Sequence, residues 1–197
     1  WCQSNGIFRF MNASSMAVYG LVDRVPVHES DAKDPYSFYG IAKQAAEQYV
    51  RHYARSGMQT TIFRMFSVYG PGQDLSNMKQ GMLSIYLAFL KNGGPIVVRG
   101  SLDRFRDFIH IDDVVEGWVA ALDNPKSHGQ VYNLASGEKT VVRDLLSHLV
   151  AAWGDNPEDH PIKQEEDTPG DQFGVYADIS QIFEDLGWRP SVSLADG

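Results

Sequence analysis

Tyr39 and Lys43 stand four residues apart in the segment YSFYGIAK. Side chains at that spacing leave the same face of a helix. A phenol by itself holds its proton too tightly to serve as a base at neutral pH, and a nearby ammonium favours the phenolate. The pair is therefore suited to removing or returning a proton.

Ser15, in the segment SSMAVYG, supplies a hydroxyl that could complete such a site. It follows an apolar run that is typical of a buried strand. A hydroxyl both donates and accepts hydrogen bonds, so it can bridge a phenol and a substrate oxygen. The trio suits proton transfer at a carbinol whose carbon loses a hydride. Taken alone, the Tyr-x-x-x-Lys spacing is also what helix packing and a solvated lysine produce.

The elements that must position these residues alternate between strands and helices. We predict strands at residues 7–12, 60–66, 96–98 and 131–134, and helices at residues 36–56, 78–91, 114–122, 141–153 and 179–186. Strand, helix, strand is the repeating unit of a parallel sheet, so the sequence predicts an α/β fold.

Two of the predicted helices carry further local signals. The apolar face of the first is predicted from residues at three- and four-residue spacing, namely Phe38, Ala42, Ala45, Tyr49 and Tyr53. Asp112 or Asp113 is the predicted cap of the helix at residues 114–122. His110 and Asp112 are too few for a metal site, and we predict no metal.

The composition excludes several classes of protein. Of 197 residues, 43% are hydrophobic, and no apolar run is long enough to cross a membrane. The formal net charge of −8 argues against a nucleic-acid partner, because binding phosphates needs a positive patch. The single cysteine, Cys2, rules out an internal disulfide framework and favours a reducing, cytoplasmic location.

Six motifs stand in the order found in a known family. They are SSMAVYG, YSFYGIAK, FRMFSVYGPGQ, RDFIHIDDVV, YNLASGE and PGDQFGVYADIS…LGW. Over nearly its whole length the chain resembles the extended short-chain dehydrogenases/reductases, the NAD-dependent nucleotide-sugar epimerases and dehydratases. It is similar in particular to UDP-glucose 4-epimerases.

The resemblance implies the C-terminal two thirds of that family's fold. Residues 1–75 would be the second half of an NAD-binding Rossmann domain, without its first βαβ unit and glycine fingerprint. Residues 76–197 would be mainly a small α/β substrate-binding domain, with residues 107–135 returning to the Rossmann domain. The start WCQSNGIFRFMNASS, which reads as a helix end followed by a strand, also predicts a beginning inside a larger fold. This part alone is expected to be inactive.

The resemblance also implies roles for the catalytic trio. Tyr39 would be the base, Lys43 would bind the NAD ribose and tune Tyr39, and Ser15 would complete the triad. All three would contact the cofactor. Phe66 would line its nicotinamide end, although a plain core aromatic explains that residue equally well.

The substrate contacts implied by the resemblance are more scattered. Arg106 would grip the diphosphate of a nucleotide sugar, a bidentate task suited to a guanidinium. The backbone at Val98 would read the pyrimidine, and Ser67 and Asp171 would complete the substrate site. Ser67 replaces an asparagine of many members, and Thr168 replaces an arginine, so the sugar and the nucleotide stay open.

The residues after Ser15 favour one reaction over another. Dehydratases of the family carry acidic residues there, whereas this chain has Met16 and Ala17, which cannot transfer protons. Epimerisation through a 4-keto sugar is therefore the predicted activity, in a homodimer. A 4-keto-sugar reductase or a dehydratase is the alternative within the family. A non-catalytic protein that senses dinucleotide is the alternative of another class.

Overall fold

The predicted strands and helices are present in the predicted order, and five further short strands, at residues 67–69, 105–106, 108–110, 140–141 and 162–165, were not predicted. The strands are β1 (Arg9–Ser15), β2 (Gln59–Met65), β3 (Ser67–Tyr69), β4 (Ile96–Arg99), β5 (Phe105–Arg106), β6 (Phe108–His110), β7 (Gln130–Leu134), β8 (Thr140–Val141) and β9 (Ile162–Glu165). The helices are α1 (Phe38–Arg55), α2 (Met82–Lys91), α3 (Ile111–Leu122), α4 (Val142–Trp153) and α5 (Ser180–Leu186). This computed structural model describes residues 1–76, 81–167 and 172–197.

A three-stranded parallel sheet and the helix α1 carry the predicted catalytic residues. Its strand order is β1-β2-β7, and α1 makes the crossover from β1 to β2. Ser15 pairs with Met65, and Met65 pairs with Leu134, so the three strands end at the same edge. The α/β class is thus confirmed. In open sheets of this kind, ligands bind outside the carboxyl ends of the strands.

Outside this sheet, the remaining strands form short two-stranded sheets. The pairs β3-β6 and β4-β9 are parallel, and the pair β5-β8 is antiparallel. One hydrophobic core packs on the main sheet around Phe63 and Tyr132, and another lies between α2, β4 and α4 around Leu145. Within the described residues, no helix is both long and apolar enough to cross a membrane.

The existence of α1 was predicted correctly, but its buried face was not. The predicted apolar face is exposed, with Phe38 94% and Tyr49 70% accessible. The helix instead buries Gly40, Glu47 and Val50 against the sheet. Periodicity misled here because a buried charged side chain occupies the centre of the packed face.

The ends of two other helices also differ from the prediction. His110, and neither Asp112 nor Asp113, caps α3, because its Nδ1 accepts the N–H of Asp112 at 3.3 Å. Asp113 instead turns to the C-terminal segment and accepts two N–H groups, those of Ser191 and Val192. The helix predicted from residue 78 begins at Met82, and residues 78–80 lie outside the described part.

Candidate active site

Helix α1 brings Lys43 and Tyr39 together at the end of β1. The Lys43 Nζ lies 5.5 Å from the centre of the Tyr39 ring. It also donates a hydrogen bond of 2.8 Å to the carbonyl oxygen of Ala13, in β1. Tyr39 is 53% exposed, so its phenol is accessible from solvent and is not enclosed in a core.

Ser15 is the last residue of β1, which runs three residues further than predicted. Its Oγ accepts the N–H of Ala17 at 3.2 Å and thereby caps the 3₁₀ turn Met16–Val18. The residue that Lys43 contacts, Ala13, is two positions before Ser15 in the same strand. The close approach of the Ser15 and Tyr39 hydroxyls stays a prediction.

A cavity of about 690 Å³ opens beside these residues. Its lining comes from the segments that follow β1 and β2, from the start of α1 and from the start of α2. The lining residues are Met16, Ala17, Gly20, Leu21, Tyr36, Ser37, Phe66, Ser67, Val68, Gln73, Asp74, Gly81, Met82, Leu83, Ser84, Arg106, Phe108 and Gln172. Ser15 directly precedes the lining residue Met16, and Tyr39 stands two residues after the lining residue Ser37, but neither belongs to the lining itself.

Three of the predicted ligand contacts meet in this cavity. Phe66 and Ser67 follow β2, and Arg106 reaches the cavity from β5. The Arg106 guanidinium is buried and donates to the backbone oxygens of Gln172, at 2.8 Å, and Phe173, at 3.2 Å. The arginine therefore anchors the segment after residue 171 as well as lining the cavity.

The structure does not bring Val98 into the cavity. Its side chain is buried in the core between α2, β4 and α4, and its backbone pairs with Gln164 of β9. Asp171 lies outside the described residues, so its predicted part in substrate binding stays a prediction. Thr168, which replaces an arginine of the family, lies outside them too.

Asp107, next to Arg106, connects the loop after β7 to the segment at Ala177 through hydrogen bonds. Its buried carboxylate accepts the N–H groups of Ser136, Gly137 and Ala177 at 2.7 to 3.1 Å. Burial raises the pKa of Asp107, and these hydrogen bonds oppose that rise. Because this carboxylate fixes three backbone positions, it holds the loop after β7 against the segment at Ala177.

Gln73 and Ser84 also line the cavity, and neither was predicted from the sequence. Ser84 Oγ donates to Gln73 Oε1 at 2.7 Å, and Gln73 Nε2 donates to the carbonyl oxygen of Val68 at 3.2 Å. This pair joins the start of α2 to the turn after β3. The signal that could have found Gln73 is its position directly after the YGPG turn.

A model of the NAD dependent epimerase/dehydratase family matches residues 1–135. The chain belongs to this family. It is 33% identical to a putative UDP-glucose 4-epimerase of Methanocaldococcus jannaschii over 94% of its length. It is 32% identical to a dTDP-4-dehydro-6-deoxyglucose reductase of Escherichia coli over 98% of its length. The chain spans 58% and 60% of these two curated relatives.

Solved structures of family members have the same fold. The UDP-glucose 4-epimerase of Thermotoga maritima, solved with UDP-glucose, superposes with a TM-score of 0.92 at 30% identity. The match covers the whole of this chain and 62% of that one. The UDP-glucuronic acid 4-epimerase of Bacillus cereus, solved with its nucleotide sugar and NAD, gives a TM-score of 0.84 at 30% identity. That match covers 96% of this chain and 58% of the other.

The described residues of this family member also show whether a group of side chains could bind a metal ion. Among these described residues, no group of three or more His, Cys, Asp or Glu side chains comes together in a way that could hold an ion. His110 is instead occupied as the cap of α3, and its ring packs edge-on against Tyr69.

Proposed function

We propose that the full-length protein is an NAD-dependent epimerase of nucleotide sugars, of the UDP-sugar 4-epimerase type. The observation that carries this proposal is the placement of Tyr39 and Lys43 on one face of α1, at the carboxyl end of β1. Ser15 ends the same strand, and the 690 Å³ cavity opens beside it. A nucleotide sugar is large enough to need a cavity of this size.

The residues present fit the ribose and nicotinamide end of NAD. A lysine ammonium has three donors, and the hydrogen bond from Lys43 to Ala13 uses one of them. The partly exposed Tyr39 adds a hydroxyl that both donates and accepts. Phe66 offers an aromatic wall at the cavity. When bound, NAD supplies the hydride acceptor and donor.

The chain's own residues would move the proton. The Tyr39 phenolate removes the proton of the sugar 4-hydroxyl, and the Lys43 ammonium stabilises that phenolate. The Ser15 hydroxyl holds the same substrate oxygen. Loss of this proton, together with transfer of the C4 hydride to the bound cofactor, gives a 4-keto sugar. The 4-keto sugar rotates within the cavity, and Tyr39 returns its proton to the oxygen when the hydride returns to the opposite face.

Two lining residues favour epimerisation over elimination of water. Met16 and Ala17 line the cavity directly after Ser15, and neither can give or take a proton. A dehydratase would need an acid at this place. The reductase alternative keeps its support, because one relative is a dTDP-sugar reductase and the same trio serves a one-way hydride transfer.

For the substrate, we propose that Arg106 holds the diphosphate, with Ser67 at the sugar. Arg106 lines the cavity and presents a planar guanidinium, which matches phosphate oxygens. We also keep Asp171 and the backbone at Val98 as proposed contacts of the nucleotide, and Phe66 as a contact of the nicotinamide.

The test uses the full-length protein with NAD and a panel of UDP-, dTDP- and GDP-sugars, without added reductant. Interconversion of C4 epimers without net consumption of cofactor supports the proposal, and Tyr39→Phe is the matched inactive control. Turnover that requires NADH and a 4-keto sugar would instead mean a reductase. Binding of NAD without turnover of any sugar would mean a sensor.

We further propose that the protein is a homodimer and that the exposed face of α1 forms its interface. Phe38, Tyr49 and Tyr53 are exposed aromatic residues on that helix. Light scattering on the full-length protein should give twice the chain mass. Tyr49→Glu should shift the mass towards the monomer, whereas Lys91→Glu on α2 should not. A monomer at micromolar concentration would contradict the proposal.

The domain division and the location are also proposals. Strand β7 joins β1 and β2 in one sheet, which supports a return of residues 107–135 to the domain of residues 1–75. The single cysteine suits a cytoplasmic enzyme. Limited proteolysis and cell fractionation test these two points.

A further inference from the structure

A buried ion pair joins α1 to the main sheet. Arg64, in β2, donates from Nε to Glu47 Oε1 at 2.9 Å and from Nη2 to Glu47 Oε2 at 2.7 Å. Arg64 has no solvent-accessible surface, and Glu47 is 2% exposed. This two-pronged geometry fixes both the distance and the orientation of the helix relative to β2.

Ser14 adds a third point of attachment, on β1. Its Oγ donates to Glu47 Oε1 at 2.6 Å, and the serine is buried. Ser14 directly precedes Ser15, and Glu47 stands four residues after Lys43 on the same face of α1. A single carboxylate therefore fixes the position of the catalytic helix along the strand that ends in Ser15.

Arg64 extends the same network to the wall of the cavity. Its Nη1 donates to the Tyr19 hydroxyl and to the carbonyl oxygen of Glu29, both at 3.0 Å. Tyr19 in turn donates to Asn133 Oδ1 at 2.6 Å, and it directly precedes the lining residue Gly20. The guanidinium thus connects α1 to the segment that bounds the substrate cavity.

The pair is ionised, and stability alone does not account for it. Burial would raise the pKa of Glu47, but the hydrogen bonds and charge of Arg64 outweigh burial and lower it below its ordinary value. Burial likewise opposes the charge on Arg64, whose pKa is nonetheless raised by Glu47. Replacing a buried ion pair by packed apolar residues is often neutral or stabilising. What such residues cannot supply is a directional attachment.

We propose that Ser14, Glu47 and Arg64 are positioning residues for catalysis. They set the register of α1 on β1 and so place the Tyr39 phenol and the Lys43 ammonium against Ser15. This inference rests on the proposed function, in which Tyr39 is the base.

Ser14→Ala in the full-length enzyme is the least disruptive test of the proposal, because it removes one hydrogen bond and leaves the buried ion pair in place. We expect kcat to fall by about tenfold, with KM for the nucleotide sugar unchanged within about twofold. Arg64→Lys keeps the charge but loses the fork, and it should lower kcat further.

The matched control is Thr61→Val, also in β2. Thr61 is buried near the start of β2. Its Oγ1 donates to the carbonyl oxygen of Ser127 at 2.7 Å and accepts from Arg9 Nη1 at 3.0 Å, and neither partner belongs to α1. This variant should lose thermal stability much as Ser14→Ala does, with kcat unchanged. An equal loss of kcat in Thr61→Val would overturn the proposal, because any buried hydrogen bond would then have the same effect.

A double-mutant cycle separates this proposal from the proposed function. If Ser14 acts through Tyr39, Ser14→Ala should have no further effect in a Tyr39→Phe background. Suppose that Tyr39→Phe lowers kcat as expected. The positioning role alone is then overturned if Ser14→Ala keeps the wild-type kcat, or if it lowers kcat by the same factor in the wild-type and the Tyr39→Phe backgrounds. No turnover by the wild-type enzyme, or an active Tyr39→Phe, overturns both.

Discussion

The Lys43 ammonium lies over the ring of Tyr39, with Nζ 5.5 Å from the ring centre. One helix turn separates the two residues, so the arrangement follows from the helix itself. The hydrogen bond from Nζ to the carbonyl oxygen of Ala13 then holds this ammonium at the carboxyl end of β1. Base and cation therefore keep a fixed relation to the strand that carries Ser15.

Tyr39→Phe in the full-length enzyme should lower kcat by roughly 10²–10⁴-fold, the usual contribution of a positioned general base. NAD affinity should change much less than kcat, because the variant loses one hydroxyl contact while the ring and the Lys43 ammonium remain. Steady-state kinetics and NAD titration measure the two effects. Tyr49→Phe, which removes an exposed hydroxyl from the same helix, is the control and should be active. An active Tyr39→Phe would mean that another residue moves the proton.

Lys43→Ala should damage both turnover and NAD affinity. The ammonium is placed to serve the phenolate and the ribose together, and its loss also removes the hydrogen bond to Ala13. Comparing kcat with the NAD dissociation constant separates this variant from Tyr39→Phe. Lys91→Ala, at the exposed end of α2, should change neither quantity. Normal NAD binding by Lys43→Ala would exclude the ribose contact.

Arg106→Ala should raise KM by roughly tenfold to a hundredfold, because charge-assisted hydrogen bonds each contribute about 1.5–3 kcal/mol. It should also lower the melting temperature, since the guanidinium donates to the backbone of Gln172 and Phe173. Arg106→Lys should recover only part of either loss. Arg143→Ala, an exposed arginine paired with Asp103, is the control. A lower melting temperature with unchanged KM would leave Arg106 a purely structural role.

Gly40→Ala should destabilise the protein, although alanine normally favours a helix by about 1 kcal/mol over glycine. A β-carbon here would overlap the carbonyl oxygen of Ala17 and come within 2.9 Å of the Pro35 Cβ. The start of α1 would have to move away from the turn after Ser15, so kcat should fall too. Gly94→Ala, where no atom lies within 4 Å, should be nearly neutral in melting temperature and kcat. A stabilised, fully active Gly40→Ala would contradict this close packing.

Tyr19 should make stability fall at alkaline pH. Burial raises the pKa of Tyr19 to about 12, against the lowering effect of the Arg64 charge. Unfolded tyrosine ionises near pH 10, so the stabilisation is fully present below about pH 10 and is lost as pH rises through about 12. The whole effect is on the order of 3 kcal/mol.

Urea unfolding between about pH 8 and 11 measures this dependence. Tyr19→Phe should be less stable at pH 8, because Arg64 and Asn133 lose a partner, but its stability should decline less steeply with pH. Tyr36→Phe, which alters an exposed phenol outside the proposed interface, should keep the wild-type slope. Equal slopes in the wild type and Tyr19→Phe would contradict the role of this buried phenol.

The sequence predicted the strand–helix–strand order and the helix that carries Tyr39 and Lys43, because periodicity and glycine stops are local signals. It did not predict which face of α1 is buried. Glu47 lies on that face because Arg64 reaches it from a strand that is distant in sequence. No local pattern marks a glutamate as the partner of a buried arginine.

The site was predictable where motif residues follow a strand end, as with Ser67. It was not predictable where a side chain is held by backbone atoms. Arg106 donates to the carbonyl oxygens of Gln172 and Phe173, and backbone acceptors leave no trace in residue types. The same holds for the contact proposed at Val98, because it is made through the backbone, which is alike in every residue type.

The order of the main sheet has a consequence for synthesis on the ribosome. Thr61 pairs with Gln130, so the edge of β2 has no neighbour until the chain has grown well beyond α3. Pairings between such distant segments form late, because a long loop must close first. The emerging chain therefore exposes the unpaired backbone N–H and C=O groups of this strand throughout this interval, when a chaperone or a neighbouring nascent chain can reach them.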